Sequence, residues 1–443
     1  MSFSFPTNPI LYQRSTQNGR TYFWTGSAWE IVSIETAPTS PIWERPTEWL
    51  SLPNISSTNN RFVGLLRIDA ESNFVALRCT VTGGYTVDWG DGTVTNHTSA
   101  VNAEKQYNYS SVPNTGESTL GYRQVIITVY PQTPEQNITA FSLQQRHSQS
   151  GLGNYRTPWL DIAINASAMT SLAIGGSVVS PLSYLQRATI YNHSLTSTTS
   201  LFNTCTALAS VPLFNTSTVT NMSNMFNGCR SLTTVPLFNT VAVTDMSGMF
   251  LNCTSLTDVP LFNTASVTAM NSMFNACSSL TDVPLFNTSA VTNMTSMFAN
   301  CTVLTTVPLF NTASVTNMNS MFTTCPNLIT VPLFNTASVT NMGLMFNNCF
   351  NLITIPSFNT SAVTAGNFTN IFVGCANLSS APFAGTNQNI SYLNCKLSAS
   401  SLNAIYSGLS INGAGKTITV TGNWGTATDN PSMATSKGWT VIV

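Results

Sequence analysis

The chain has 443 residues, room for two or three domains, and only 7% of them are charged, with a net charge near −1. An ordinary globular protein carries roughly 25% charged residues, so solubility here must rest on Thr, Ser and Asn. No basic surface is offered to the phosphates of nucleic acid. No basic cluster would dock on an anionic membrane, and no run of about 18 apolar residues would cross one.

The first residues read as a separate piece. GRTYFWTGSAWEIV, from Gly19 to Val32, sets aromatics around a Thr-Gly-Ser turn. It predicts a hairpin: Thr21 to Trp24, a turn at Thr25 to Ser27, then Trp29 to Val32. A lone hairpin is unstable in water, so this one must pack on something else. The spacing of Trp24, Gly26 and Trp29 is similar to short W-x-G-x-x-W segments at the N-termini of tailed-phage virion proteins, cyanobacterial phages especially. The resemblance implies that Tyr22, Trp24 and Trp29 anchor the chain to other virion proteins. A Pro-rich stretch, ETAPTSPIWERPTEW, follows, and residues 1–47 are read as anchor and linker. The opening MSFSFPTNPILYQRS has no basic start followed by an apolar run. A chain made in a host cytoplasm without a secretory signal is therefore expected.

Residues 48–140 alternate apolar and polar between turn signals. GGYTVDWGDGTVTN predicts strand, tight turn at Asp91-Gly92, strand; KQYNY and GYRQVIITVY supply later strands. The W-G-D-G turn at Trp89 to Gly92, with Lys105 to Tyr107 and Gly121 to Val129 following, resembles a PKD domain. That resemblance implies an immunoglobulin-like β-sandwich acting as a spacer or binding module. Lys105 stands where the family has His, and Arg123 where its strand has Tyr. Asp88 and Asp91 read as turn formers, with calcium ligation as the alternative.

Residues 141–194 are expected to cap a repeat array that runs over 195–380. Eight cysteines mark its register: Cys205, Cys229, Cys253, Cys277, Cys301, Cys325 and Cys349 at steps of 24, then Cys375 at a step of 26. Such regularity is a repeat, not a disulfide framework. In one unit Val219, Met222, Met225, Phe226, Cys229 and Leu232 follow gaps of three and four, as on a helical turn. Leu232, Val235 and Leu237 then read as a short strand. One unit cannot bury its own apolar face, but stacked units can, placing Phe226 on Phe250, Phe274, Phe298, Phe322 and Phe346. A proline in every strand, from Pro212 to Pro356, should interrupt the ladder.

The Met pairs read as core filler and the cysteines as small buried apolar residues; stacked cysteines also approach disulfide spacing. Asn221, Asn252, Asn293 and Asn300 sit in N-x-S/T triplets but read as side chains bonding to turns. The wording VTNMSNMFNGCRSL resembles BspA-type leucine-rich repeats. The fold class expected is therefore mainly β: a leucine-rich-repeat solenoid preceded by the sandwich and the small N-terminal β piece. Residues 381–443 should close the stack, with a helix near 397–409 presenting Leu402, Ile405, Tyr406 and Leu409.

Catalytic patterns are few. GAGKT at Gly413 to Thr417 lacks the first glycine of a phosphate loop, since position 410 is Ser410, and a strand follows it. His97, His147 and His193 have no metal-ligand spacing. Asp258 and Asp282, one coil apart, could pair as glycosidase carboxylates but read as part of an exposed column. That column is Thr234, Asp258, Asp282, Thr306, Thr330 and Thr354. A sparsely charged lattice of hydroxyls suits a repetitive polar ligand such as polysaccharide. The expectation is a non-enzymatic phage virion protein without cofactor, a tail fibre adhering to host cell-surface glycan or protein. Head decoration and a bacterial BspA-type adhesin are the alternatives. Fibre proteins resembling it are commonly trimers, which implies a homotrimer.

Overall fold

The computed structural model describes residues 43–69, 73–113, 117–150, 157–176, 182–364 and 368–443, with the backbone of three strands nearer the N-terminus. Met1–Arg45 form one compact unit and Pro46–Val443 another. In the first, β1 (Arg14–Gln17), β2 (Arg20–Trp24) and β3 (Trp29–Ile31) form an antiparallel meander. Its register sets Tyr22 opposite Ile31 and Trp24 opposite Trp29, the hairpin expected, with one more strand added. The turn at 25–27 and the side chains of Tyr22, Trp24 and Trp29 lie outside the described residues.

The second unit starts as two facing sheets. Their strands are β4 (Arg61–Ile68), β5 (Phe74–Val81), β6 (Gly84–Asp88), β7 (Val94–Thr98), β8 (Asn102–Gln106), β9 (Arg123–Pro131), β10 (Ile138–Ser142), β11 (Trp159–Asn165), β12 (Ser171–Ala173) and β13 (Arg187–Ile190). One sheet runs β12-β10-β5-β8 and the other β13-β11-β4-β9-β6-β7. β4 lies between β11 and β9 and is buried on both faces, which explains its near-continuous apolar run. Phe62 of β4 and Phe141 of β10 join the sheets, ring centroids 4.4 Å apart. Trp159 meets Phe62 edge-on at 5.5 Å. Its ring crosses Gly64 so closely that a Cβ there would fall 2.4 Å from it, so this strand position needs glycine.

Residues 141–194 carry the chain from sandwich to solenoid. β11 pairs antiparallel with β4 on one side and parallel with β13 on the other. β12 likewise adds parallel to β10. Arg187 then bridges Ser210 in parallel, and Phe202 stacks on Phe226 at 5.5 Å. A single apolar core therefore runs from Phe62 to Trp439.

The solenoid has about 10 turns in a chain that is 22% strand and 5% helix, so its regularity lives in turns and single bridges. Ser197, Asn221, Asp245, Ala269, Asn293, Asn317 and Asn341 bridge coil to coil in parallel. The segment after each bridge was expected to be a turn of helix, and it bonds differently. In one coil the N–H groups of Met246, Gly248, Phe250 and Asn252 reach the carbonyls of Ala269, Asn271, Met273 and Asn275 in the next coil, at 2.8 to 3.1 Å. Those of Met249, Leu251 and Cys253 turn back to Met246, Gly248 and Phe250. Two left-handed residues per coil, Gly248 (φ 59) and Asn252 (φ 60) here, make the switch. A continuous helix would spend every N–H within the coil and leave none for its neighbour.

The core is as periodic as the sequence. The rings of Phe226, Phe250, Phe274, Phe298, Phe322 and Phe346 stack at 5.7 to 5.8 Å, within 8° of parallel. The Met pairs are fully buried, as expected of core filler. The cysteines are free and buried, and each coil's thiol donates to a phenylalanine carbonyl of the preceding coil, as Cys253 Sγ does to Phe226 O at 3.1 Å.

At the far end, β14 (Phe358–Asn359) pairs with β15 (Phe383–Ala384). β16 (Ile390–Ser391), β17 (Thr417–Thr419) and β18 (Thr440–Ile442) form a parallel sheet. Helix α1 (Ala399–Gly408) starts at Ser398, whose hydroxyl accepts from Ser401 N, and it buries Leu402, Ile405 and Tyr406. Lys437 Nζ closes its C-terminus by donating to the carbonyls of Tyr406, Ser407 and Leu409. A short second helix, α2 (Ser432–Thr435), precedes β18. The phenylalanine ladder ends on Tyr392, 5.1 Å from Phe372. Among the described residues no helix is long and apolar enough to cross a membrane.

Candidate functional site

The hexapeptide V-P-L-F-N-T builds the outer face of each coil. Val235 is buried. Pro236 withholds an N–H, and its carbonyl instead accepts from Phe238 N at 2.9 Å. That bond closes a γ-turn, repeated at Phe262, Phe286, Phe310 and Phe334. Its central residue keeps a negative φ, the inverse form favoured at strand ends. Phe238 then points into the core and Leu237 points out. The expectation that Leu237 completes a buried strand is thus corrected: it is 59% exposed. The ladder is missing there because proline cannot donate to it. Bridges at this column join Arg187 to Ser210 at the start of the stack and Thr330 to Thr354 to Ser380 toward its end.

Asn239 and Thr240 finish the turn. Asn239 Oδ1 accepts from Val241 N at 3.2 Å, and its counterparts in other coils do the same. Thr240 is buried and its hydroxyl donates to Asn263 O of the next coil at 2.8 Å. The column repeats through Thr216, Thr264, Thr288, Thr312 and Thr336. Two of the N-x-S/T asparagines cap turns, Asn221 Oδ1 accepting from Ser223 N and Asn293 Oδ1 from Thr295 N, whereas Asn252 and Asn300 donate Nδ2 to Asn227 Oδ1 and Asn275 Oδ1 of the preceding coil.

Thr234, Asp258, Asp282, Thr306, Thr330 and Thr354 occupy equivalent places in successive coils, beside buried Val235 and its equivalents, the last of them Ile355. All are exposed except Thr330, which is half-buried. Asp258 Oδ1 accepts from the Thr257 hydroxyl at 3.0 Å. Three residues on runs a second column, of which Leu237 was read as part of a short strand: Leu213, Leu237, Leu261, Leu285, Leu309 and Leu333. They are 47 to 62% exposed. The signal that finds them is steric: with phenylalanine next in line already committed to the ladder, leucine is left to face water.

The sandwich tip carries the other candidate. Trp89 N bonds Thr93 O, so the loop between β6 and β7 is wider than a two-residue turn. Asp88 Oδ1 accepts from Gly90 N at 3.0 Å, and Asp91 Oδ1 from Thr93 N at 3.1 Å. The other Asp91 oxygen lies 2.8 Å from Lys105 Nζ. Burial opposes ionisation of Asp91, but hydrogen bonds from Lys105 and Thr93 outweigh it and hold its carboxyl below the ordinary value. Both aspartates therefore serve the turn. Tyr107 Oη donates to Trp89 O at 2.7 Å and Trp89 Nε1 to Thr95 Oγ1 at 2.8 Å, fastening the tip.

Residues 196–307 and 305–400 match the family described as Mycoplasma protein of unknown function, DUF285. The two matches adjoin and cover the coils and the start of the closing segment, under half of the chain. The coils are similar to the repeats of that family, which are BspA-like. No curated protein matches the chain. Coils of this build present exposed, evenly spaced columns, which is compatible with adhesion.

Proposed function

We propose that the protein is an adhesive structural protein of a tailed-phage virion, a tail fibre that meets the host surface through its BspA-like solenoid. The observation that carries this reading is the exposed Thr/Asp column, one residue per coil. Parallel coils set its members about 4.8 Å apart, a lattice of hydroxyls and two carboxylates suited to a repetitive polar ligand. Cell-surface glycan is the partner class favoured, and surface protein the alternative. The protein acts by binding, not catalysis, and needs no cofactor. The W-x-G-x-x-W resemblance of Trp24 to Trp29 supports attachment to other virion proteins through the first unit, and the PKD-like sandwich would serve as spacer. A second reading, a bacterial surface adhesin, is favoured by the match to a family described from a cellular source.

Electron microscopy of phage particles labelled with antibody against residues 190–380 tests this. Label on the tail supports the fibre reading. Label on the head replaces it with decoration. Particles without label leave the bacterial adhesin.

A further inference from the structure

The leucine column has no task in the fold. The Pro236–Phe238 turn needs only a residue of negative φ at its centre, which does not call for leucine. Six coils nonetheless carry leucine there, and in five of them, from Leu237 to Leu333, the flanking proline-to-phenylalanine hydrogen bond fixes the turn.

We propose that this column is where a second copy of the chain docks, leucine column against leucine column. This inference concerns assembly and stands apart from the ligand read for the Thr/Asp column. Three features single out a second copy. The first is period: a binding surface must present apolar groups at one-coil intervals to cover every leucine, and another copy does so by construction. The second is charge: with 15 basic and 16 acidic residues in 443, and only Asp258 and Asp282 in the neighbouring column, two such faces meet without strong repulsion. The third is area. Each leucine exposes on the order of 100 Å² of apolar surface, so two columns together remove on the order of 1,200 Å², where specific interfaces begin.

Toward the closing end Val303 and Ile329 are also exposed, on the coils of Leu309 and Leu333, as are Phe350 and Ile353 on the coil after them. Contiguous exposed apolar surface on a soluble protein marks an interaction site. The prolines beside the leucines extend the contact. The Thr/Asp column then lies at the rim, polar and accessible as interface rims are.

Sedimentation velocity of the full chain over a concentration series tests this, alongside a variant carrying Leu237→Asn, Leu285→Asn and Leu333→Asn. Expected is a wild type of at least two chains, and a variant whose mass falls to one chain with unchanged circular dichroism. Cross-linking gives an independent readout, because the native cysteines are all buried. Under mild oxidation, Leu285→Cys alone reports parallel columns, and Leu285→Cys mixed with Leu261→Cys reports antiparallel ones. Doubling of mass in either case supports the proposal, and decides the matter should the triple variant unfold. A wild type that stays monomeric overturns it, as does a folded variant that assembles like wild type.

Discussion

Replacing Phe274 by alanine removes the central ring of the ladder. Phe274 is fully buried and stacks on Phe250 and Phe298 at 5.7 Å, with Phe286 of its own coil at 6.3 Å. Removing such a ring from a core costs about 3–5 kcal/mol, through lost burial and the cavity left behind. That is a large part of a typical stability of about 5–15 kcal/mol. The more searching test is a double-mutant cycle with leucine, which keeps the position apolar. Phe250→Leu and Phe274→Leu should couple by about 0.5–1.5 kcal/mol, the value of a stacked aromatic pair. Phe250→Leu and Phe322→Leu, three coils apart, should add within about 0.5 kcal/mol, since each coil touches only its neighbours. Urea unfolding of wild type, the three single leucine variants and the two double variants measures both. Equal coupling for near and distant pairs would refute the nearest-neighbour account, and so would a Phe274→Ala loss below about 1 kcal/mol, far under the core range.

Ala276 holds a left-handed φ of 60 where an earlier coil has Gly228. Ala276→Gly should raise stability by roughly 0.5–1 kcal/mol, relief of αL strain exceeding the entropy glycine adds to the unfolded chain; a lower melting temperature would count against the assigned backbone. The thiols should be silent to alkylation in the native protein and all ten should react after denaturation, by mass spectrometry. Burial shields them and pushes Cys79, Cys325 and Cys395 up to about 12. Asp91 has a folded value below its ordinary one, so its contribution is present above the unfolded value of about 3.9 and is lost as pH falls through the folded value. The melting difference between wild type and Asp91→Asn should be full at neutral pH and vanish in acid; a difference independent of pH would refute the Lys105 pairing as its source.

The stacking of the coils was legible because the 24-residue register names its own core: Phe226 must meet Phe250 once coils stack. The closing helix was legible as well, since Leu402, Ile405 and Tyr406 fall on one face. Less legible was anything set by one backbone bond. L-x-x-V-x-L reads as a strand until Pro236 diverts its carbonyl to Phe238, and only then does Leu237 turn outward. The helical spacing of Met222, Met225, Phe226 and Cys229 was real, yet residues of ordinary sequence such as Ser272 and Ala276 adopt left-handed φ there. Neither has a composition that announces it. The exposed places of Thr234, Asp258, Asp282, Thr306 and Thr354 follow from position alone, each being next to a buried valine or, for Thr354, isoleucine. What such a column binds depends on a ligand, and no pattern within the chain specifies it.

Binding of the full chain to an array of bacterial cell-surface polysaccharides tests the adhesive reading most directly, compared with a variant carrying Thr306→Ala, Thr330→Ala and Thr354→Ala. The account predicts saturable binding by wild type and a loss of at least tenfold in the variant, about 1.4 kcal/mol, with the melting temperature preserved. Absence of binding by wild type, or equal binding by the folded variant, would contradict it.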